Sequence, residues 1–587
     1  MTFSSTQSSR HMRLGIAAVA VAALVAFGTA VGGCASLPEN VDRPVSQALP
    51  PPADSPLARI AQAASGATAD GQATRGASSG FLLLDGPQSA YGSRLALAEQ
   101  ARRTLDLQYY AIHADASTGR LMRAVQSAAQ RGVRVRILID DFHSAGRNAL
   151  VLGLADTPNV QIRLFNPLAG ARASSIGRIL VSLGDAGRIQ QRMHNKLFIA
   201  DNAMGITGGR NLGDAYFGLG GDAGNFVDLD VLAVGPIVRE MSKSFDQYWN
   251  DKRAYPVASL VSREEMDRIR DKAAESRRSG QGGDGAAKPS PPDGEPRPDA
   301  ASAAAFGDRR AAERPGWDEQ PMDLAAQRFV RAPATLLVDQ PAKIAADDQA
   351  KAEAAPAKPD APRGEMPAGE TVVEGLLPLI AQTRQDLVIV SPYFVPGAQI
   401  RGALAQARQR GVRIRVLTNS LASNDAPVAH VGYARHRTDL LDMGIELYEM
   451  RADEAGLRSA LGAGSSGSLT GGMGESKAML HSKFIVRDGR LLAIGSMNLD
   501  LRSQKQNTEI ALLIRSTELS AEATAIVDKS LRQGAWKVER DPAANGALVW
   551  RAPAGSGLQD AHHEPDTRAS LRALLWLIGP FAPDDML

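Results

Sequence analysis

One strand–helix–strand pattern is written twice along this chain, and the repeat restricts the fold to a pair of like units. Asp106-Leu107-Gln108-Tyr109-Tyr110 leads through a helical stretch to Arg131-Gly132-Val133-Arg134-Val135-Arg136-Ile137-Leu138. Asp386-Leu387-Val388-Ile389-Val390 leads in the same way to Arg410-Gly411-Val412-Arg413-Ile414-Arg415-Val416-Leu417. The helices between carry apolar residues at helical spacing (Leu121, Ala124, Val125 and Ala128; Leu404 and Ala407), and each ends at an Arg-Gly pair, the glycine acting as C-cap. Strands joined through a helix pair in parallel with a right-handed crossover. Runs such as Val135–Ile139 are apolar enough to be covered on both faces. The expectation is an α/β protein of two fused sandwich domains, related by a pseudo-two-fold axis and sharing one active site. Its 587 residues exceed what one ordinary core holds.

The repeat carries chemistry as well. His-x-Lys-x4-Asp occurs as His194, Lys196, Asp201 and again as His481, Lys483, Asp488. Each copy is followed by a glycine turn and an asparagine, Gly208-Gly209-Arg210-Asn211 and Gly495-Ser496-Met497-Asn498, and then by a carboxylate on a strand, Asp228 or Glu509. Histidine and lysine two apart on a strand point to one face, so imidazole and ammonium converge. If the halves pair, both sets surround one phosphate. Lys196, Lys483, Asn211, Asn498 and the Ser496 hydroxyl then hold the non-bridging oxygens as charge builds on them. One histidine attacks phosphorus while the other protonates the departing alcohol and later deprotonates the incoming hydroxyl. This asks for one neutral and one protonated imidazole near neutral pH, a range in which histidine can be either. His194 is assigned as nucleophile and His481 as acid/base. Asp201 and Asp488, five residues past their lysines, are read as turn or salt-bridge residues. Asp230 shares a strand face with Asp228 and is the alternative ring-orienting carboxylate. His113, His430 and His436 lack a paired motif and are assigned to packing or hydrogen bonding, and His562-His563 to solvent. The pattern calls for no cofactor and no metal.

Two motif copies in register, each with its asparagine extension, resemble the phospholipase D superfamily, over most of the chain. The resemblance implies phospholipase D-type sandwich domains, a phosphohistidine intermediate, and orientation of the two imidazoles by Asp228 and Glu509 accepting an N–H bond. The flanking sequence is similar to bacterial cardiolipin synthases in Thr118-Gly119-Arg120-Leu121, Phe165-Asn166-Pro167, Ser391-Pro392-Tyr393-Phe394 and Asn498-Leu499-Asp500-Leu501-Arg502-Ser503. Gly213-Asp214-Ala215-Tyr216-Phe217 resembles the branch called cardiolipin synthase C. That branch implies a phosphatidyltransferase that passes a phosphatidyl group to the hydroxyl of phosphatidylglycerol, with phosphatidylethanolamine as a candidate donor. A hydrolytic phospholipase D or a nuclease on the same scaffold is the alternative. Lys+Arg 66 against Asp+Glu 64 gives no general attraction for a polyanion, which disfavours nucleic acid.

The ends and joints are read from composition. A basic start, an apolar stretch from Leu14 to Ala30 and Val31-Gly32-Gly33-Cys34 follow the order of an export signal with a lipobox, in which Cys34 is acylated and anchors the protein to a membrane. The site of action is then the bacterial cell envelope, facing the periplasm. Domain boundaries follow: signal 1–33, tether 34–75, first domain 76–274, linker 275–369, second domain 370–587. The linker is rich in Gly, Ala, Pro and charge, with one island, Ala334–Asp339, able to dock back as a strand. Gly462–Gly474 is a lid or a spacer. Leu571–Ile578 is either core or a second contact with the membrane surface.

Overall fold

The computed structural model describes residues 37–65, 78–141, 151, 153–168, 189–220, 224–261, 320–344, 371–453 and 477–579. Cys34 and the Gly462–Gly474 loop lie outside them.

The first half supplies strands β1 (Ser79–Leu84), β2 (Thr104–Tyr109), β3 (Arg134–Asp140), β4 (Val160–Phe165), β5 (Leu197–Ala200), β6 (Met204–Gly208), β7 (Asn225–Val227), β8 (Asp230–Val234) and β9 (Ala254–Pro256). Between the halves lie β10 (Val330–Ala332) and β11 (Ala334–Val338). The second half supplies β12 (Asp386–Val390), β13 (Arg413–Asn419), β14 (Glu446–Met450), β15 (Ala478–Leu480), β16 (Phe484–Arg487), β17 (Leu491–Gly495), β18 (Ile510–Arg515), β19 (Ala535–Asp541) and β20 (Ala547–Arg551). Two nine-stranded sheets result, ordered β10-β1-β8-β6-β5-β2-β3-β4-β9 and β11-β18-β17-β16-β12-β13-β14-β19-β20. The repeat read from sequence is the parallel centre of each, β2 beside β3 and β12 beside β13. The intervening helices, Ala116–Gln130 and Ala398–Gln409, end where expected. Gly132 (φ +95°) and Gly411 (φ +84°) take the left-handed conformation that their lack of Cβ allows.

The halves are joined in three ways. β7 and β15 form a parallel two-stranded sheet of their own, one strand from each half. An apolar cluster crosses the boundary, with Val231, Phe245 and Trp249 on one side and Leu492, Ile494 and Leu512 on the other. Third, the segment read as a linker is in part a staple. The Ala334 strand forms and pairs with β18, but it is preceded by β10 on the edge of the other sheet, with only Pro333 between the two. Each sheet edge offers unpaired amides and carbonyls, and this short segment satisfies one on each side.

The 34–75 tether also needs correction over its described part. The helix Pro56–Ser65 buries Leu57 and Ala61 in the first core, because its apolar residues fall on one face. Upstream, the Ala48 amide donates to Asp246 (2.7 Å). Residues 37–65 are therefore part of the first domain.

Asp201 and Asp488 sit at tight turns with φ of +52° and +50°, a conformation Asp tolerates better than most residues. Asp201 accepts from the amides of Arg102 (3.0 Å), Arg103 (2.7 Å) and Thr104 (3.1 Å) and from the Ser55 hydroxyl (2.5 Å). Asp488 does the same for Arg384, Gln385 and Asp386. Both tie the start of a central strand to the turn after the His-x-Lys motif. Asp201→Ala is expected to cost about 2–4 kcal/mol, since buried amides lose a charged acceptor. Thermal melting would show the loss, while activity per folded molecule stays near that of the parent.

Candidate active site

The two motifs meet at the joint between the halves. Met193 bridges to Thr508, and the His194 amide donates to the Thr508 carbonyl (2.9 Å). Leu480 pairs with Val227, and the His481 amide donates to the Val227 carbonyl (2.8 Å). Each histidine thus docks its backbone one residue before the carboxylate of the opposite half. The rings follow the backbone: His194 Nδ1 lies 2.9 Å from Glu509 Oε2, and His481 Nδ1 lies 2.6 Å from Asp228 Oδ2. Both dyads cross between halves. With Nδ1 engaged, Nε2 is the ring nitrogen left for substrate. The His-x-Lys segments lie just ahead of β5 and β16 rather than within them, in extended chain that the cross-bridges hold.

Asp230 does not orient a ring. It is buried among Arg94 (2.8 Å) and Arg210 (3.4 Å), and its Oδ1 accepts from the Arg210 amide (3.2 Å). Arg210 in turn donates to the carbonyls of Asp228 (2.5 Å), Leu84 and Tyr216, so the Gly-Gly-Arg-Asn turn is braced from below. Gly209 must be glycine here, as a Cβ would stand 2.3 Å from Asp228 Oδ1.

Ser496 requires a correction. Its hydroxyl donates to Glu509 Oε2 (2.5 Å) and accepts from the Ile510 amide (3.1 Å), with the residue fully buried. Its single donor hydrogen is engaged by Glu509, and a phosphate oxygen can only accept, so Ser496 positions Glu509 rather than holding phosphate. Ser496 occupies the place that Gly209 has in the first half, where Asp228 takes the Leu229 amide (2.9 Å) instead. Ser496→Ala is expected to lower kcat about 10–100-fold, the range set by one hydrogen bond to a charged group. Steady-state kinetics on protein shown to be folded by circular dichroism checks this.

Asn211 is partly committed as well: Oδ1 accepts from the Ala111 amide (3.3 Å) and Nδ2 donates to the Tyr216 hydroxyl (3.0 Å). Asn498 differs, its Oδ1 buried without a hydrogen-bond partner. Lys196 and Lys483 each donate to the carbonyl of their own histidine, at 2.7 and 2.5 Å. That leaves further N–H donors on each ammonium for an anion.

The electrostatics separate the two histidines. Burial, then the charges of Lys196 and Lys483, hold the His194 ring well below its ordinary pKa. Burial and Lys483 lower His481 too, but Asp228 opposes them by charge and by hydrogen bond. Burial pushes the Asp228 carboxyl up, yet His481, Lys483 and Arg210 more than offset it and hold it below the usual carboxylate range. Glu509 is pushed up to about 7 by burial, against the pull of Lys196 and Ser496. Burial brings Lys196 down to about 7. An arriving phosphodiester anion between the lysines offsets the charges that depress both rings. The ring facing the ionised Asp228 is the one predisposed to hold a proton.

Several residues at the site have no motif to announce them. Tyr110 sets its ring edge-on to His194 (5.2 Å between centroids), 5.8 Å from Lys196 Nζ. Tyr216 stacks on Phe226 (4.5 Å) and meets His481 edge-on (5.3 Å). Asp339, from the linker, accepts the Glu509 amide on Oδ2 (2.9 Å) and the Val372 amide on Oδ1 (2.7 Å). Asp425 accepts from the Tyr393 hydroxyl (2.6 Å) at the rim, and its charge reaches Lys483 and Tyr216. Of the unpaired histidines, His430 sits in a buried network with Arg437 (3.0 Å) and Glu564 (3.2 Å), and His436 lies against Arg401 (3.1 Å). His113 packs near Tyr216 (6.1 Å), and His562 and His563 are exposed. Among the described residues no cluster of three or more His, Cys, Asp or Glu could hold a metal ion.

A duplicated α/β sandwich whose two His-x-Lys motifs meet across crossed histidine–carboxylate pairs defines the phospholipase D class of phosphodiester-exchange proteins. Within it, residues 95–249 and 376–531 each match the cardiolipin synthase, phospholipase D-like domain, and the chain belongs to that family. It is 32% identical over 479 residues to cardiolipin synthase C of Escherichia coli (strain K12), spanning 79% of this chain and 87% of that protein. Cardiolipin synthase A of Pseudomonas syringae pv. syringae is 23% identical over 449 residues, 76% of this chain and 67% of that protein. Among solved structures, phosphatidylserine synthase of Haemophilus influenzae aligns with a TM-score of 0.51 at 13% identity, covering 90% of this chain and all of that one. The last likeness concerns the fold alone.

Proposed function

We propose that this protein is a phosphatidyltransferase that forms cardiolipin by moving a phosphatidyl group onto the hydroxyl of phosphatidylglycerol. The observation that carries the reading is the pair of crossed dyads around two buried lysines, joined to membership of the cardiolipin synthase family. His194, held neutral, attacks phosphorus through Nε2, and the P–N bond forms as the bond to the departing alkoxide breaks. His481, charge-supported by Asp228, gives its proton to that oxygen. The incoming lipid hydroxyl then loses its proton to His481 and attacks phosphorus, releasing His194. Lys196, Lys483 and the Asn498 amide stabilise the equatorial oxygens in each transition state. Phosphatidylethanolamine is a candidate donor beside a second phosphatidylglycerol.

The export-type N-terminus supports acylation of Cys34 and residence in the bacterial cell envelope, on a periplasm-facing membrane surface. No helix among the described residues is long and apolar enough to cross a membrane.

The test uses the purified chain in mixed micelles of phosphatidylglycerol and phosphatidylethanolamine, with products read by mass spectrometry beside a His194→Ala control. Cardiolipin formed only with intact His194 supports the transferase, and omitting each lipid in turn names the donor. Phosphatidic acid without cardiolipin makes water the acceptor, and the absence of any lipid product removes lipid as substrate.

A further inference from the structure

The C-terminal helix Ala569–Ile578 inverts the usual pattern of a surface helix. At 100° per residue, Trp576, Ala573, Leu577 and Leu574 fall in sequence around one arc, and that arc faces solvent. Trp576 is 81% exposed, Leu577 61% and Leu574 52%, while Leu575 is buried at 8%. No charged residue lies within the arc; Arg572 stands at its edge. Contiguous exposed apolar surface of this kind marks a place that something apolar covers.

The position of the helix says what covers it. Its last turn is clamped on the helix Pro427–Asp442, where the Arg435 guanidinium donates to the Gly579 carbonyl and Gly579 abuts Val431. Val428, on the first turn of that same helix, is a second exposed apolar residue, at 42%. Asp425, at the rim of the active site, lies two residues before this helix begins. Val431 is four residues past Pro427, about 6 Å of rise along the helix axis. The C-terminal helix is therefore docked on the element that directly follows the active-site rim. Trp beside Leu, with arginine at the margin, is the composition that settles at a bilayer interface, the indole at headgroup level and the guanidinium toward phosphate.

We propose that this face, formed by Trp576, Leu577 and Leu574, inserts into the surface of the bilayer that supplies the substrates and sets the active-site mouth against it. The inference rests on the lipid-substrate reading above. It adds a contact made by the folded domain itself, separate from any acyl chain at Cys34.

Two measurements on the full chain test it. Of the five tryptophans, Trp249, Trp536 and Trp550 are buried and Trp317 lies outside the described residues, so with Trp317→Phe as the parent background, quenching by brominated acyl chains isolates Trp576 when that parent is compared with its Trp576→Phe variant. With vesicles of brominated phosphatidylglycerol and phosphatidylethanolamine, the parent is expected to lose tryptophan fluorescence and the variant to lose much less. Equal quenching of both overturns the proposal. So does a Trp576 shielded from acrylamide before lipid is added and untouched by bromolipid afterwards, the result if a second copy or the chain's own end covers the face. In the second measurement, Leu574→Ser/Leu577→Ser is expected to lower transfer on vesicles 10-fold or more, with the rate on monomeric short-chain lipid unchanged. An unchanged rate on vesicles overturns the proposal. A parent that transfers nothing even on short-chain lipid sinks the functional reading instead, and the quenching result stands apart from it.

Discussion

Changing His481 to alanine is expected to lower kcat on a natural phospholipid about 10²–10⁴-fold, the usual worth of a placed general acid. The same variant should regain most of the first step on a phosphatidyl p-nitrophenol ester. Nitrophenolate leaves without a proton, so the missing acid matters little there. The intermediate should then persist, because no base remains to activate the acceptor. A burst of nitrophenol of about one per active site, with a matching gain of one phosphatidyl group on the protein by mass spectrometry, is the expected signature. His194→Ala should show neither burst nor adduct with either substrate. If the burst appears in His194→Ala and not in His481→Ala, the two roles are exchanged. The geometry tolerates that exchange, as each ring has its own carboxylate; the electrostatics favour the assignment given, since Asp228 supports a proton on His481.

Asp228→Asn should be nearly as damaging, about 10²–10⁴-fold in kcat, by analogy with the amide substitution of the orienting aspartate in serine proteases. An amide at 2.6 Å from His481 Nδ1 either presents N–H to N–H or accepts without charge, and in both cases the imidazolium loses its counter-ion. The pH profile separates this from simple misfolding. Asp228 raises the pKa of His481, so without its charge His481 gives up its proton at lower pH. The alkaline limb of kcat should therefore move toward acid. Glu509→Gln should move its limb less, because burial already brings Glu509 to about 7 and leaves it only partly ionised near neutrality. Equal shifts in the two variants would mean that the halves are electrostatically alike, against the asymmetry described here.

What the sequence made legible was local. Asp106 and Asp386 each open a strand–helix–strand unit because apolar spacing and Arg-Gly ends are written within 30 residues. The catalytic histidines, lysines and carboxylates were visible because they recur in register. Partnership across the halves was not, since it depends on how two sheets dock: nothing near His194 in sequence says that its carboxylate lies 315 residues away. The turn Gly495-Ser496-Met497-Asn498 places Ser496 among the phosphate-binding candidates, and only the distance to Glu509 reveals its place. The island ending at Asp339 stood out from a segment dominated by Pro, Ala and charge, but nothing in it told that Asp339 accepts the Glu509 amide. The 37–65 segment did carry a signal, with Ser55-Pro56 ahead of Leu57, Ala61 and Ser65 at i, i+4 and i+8. Proximity to a long apolar leader obscured it. Tyr216 and Phe226 gather at His481 from separate elements, and no spacing rule joins them.

The crossed dyads make heredity in this protein a matter for both halves at once. A lesion at Asp228 is a lesion in the chemistry of His481, although the two belong to different copies of the ancestral unit. Duplicated genes ordinarily free one copy to drift, but here neither copy owns a complete histidine–carboxylate pair. At Gly209 and Ser496 the two halves support their carboxylates by different means. A fragment carrying one half would be expected to fold toward a surface that lacks its partner's carbonyls, amides and acid. A unit of this kind completes its histidine–carboxylate pair only beside a second copy, and one chain carrying both keeps that copy always at hand.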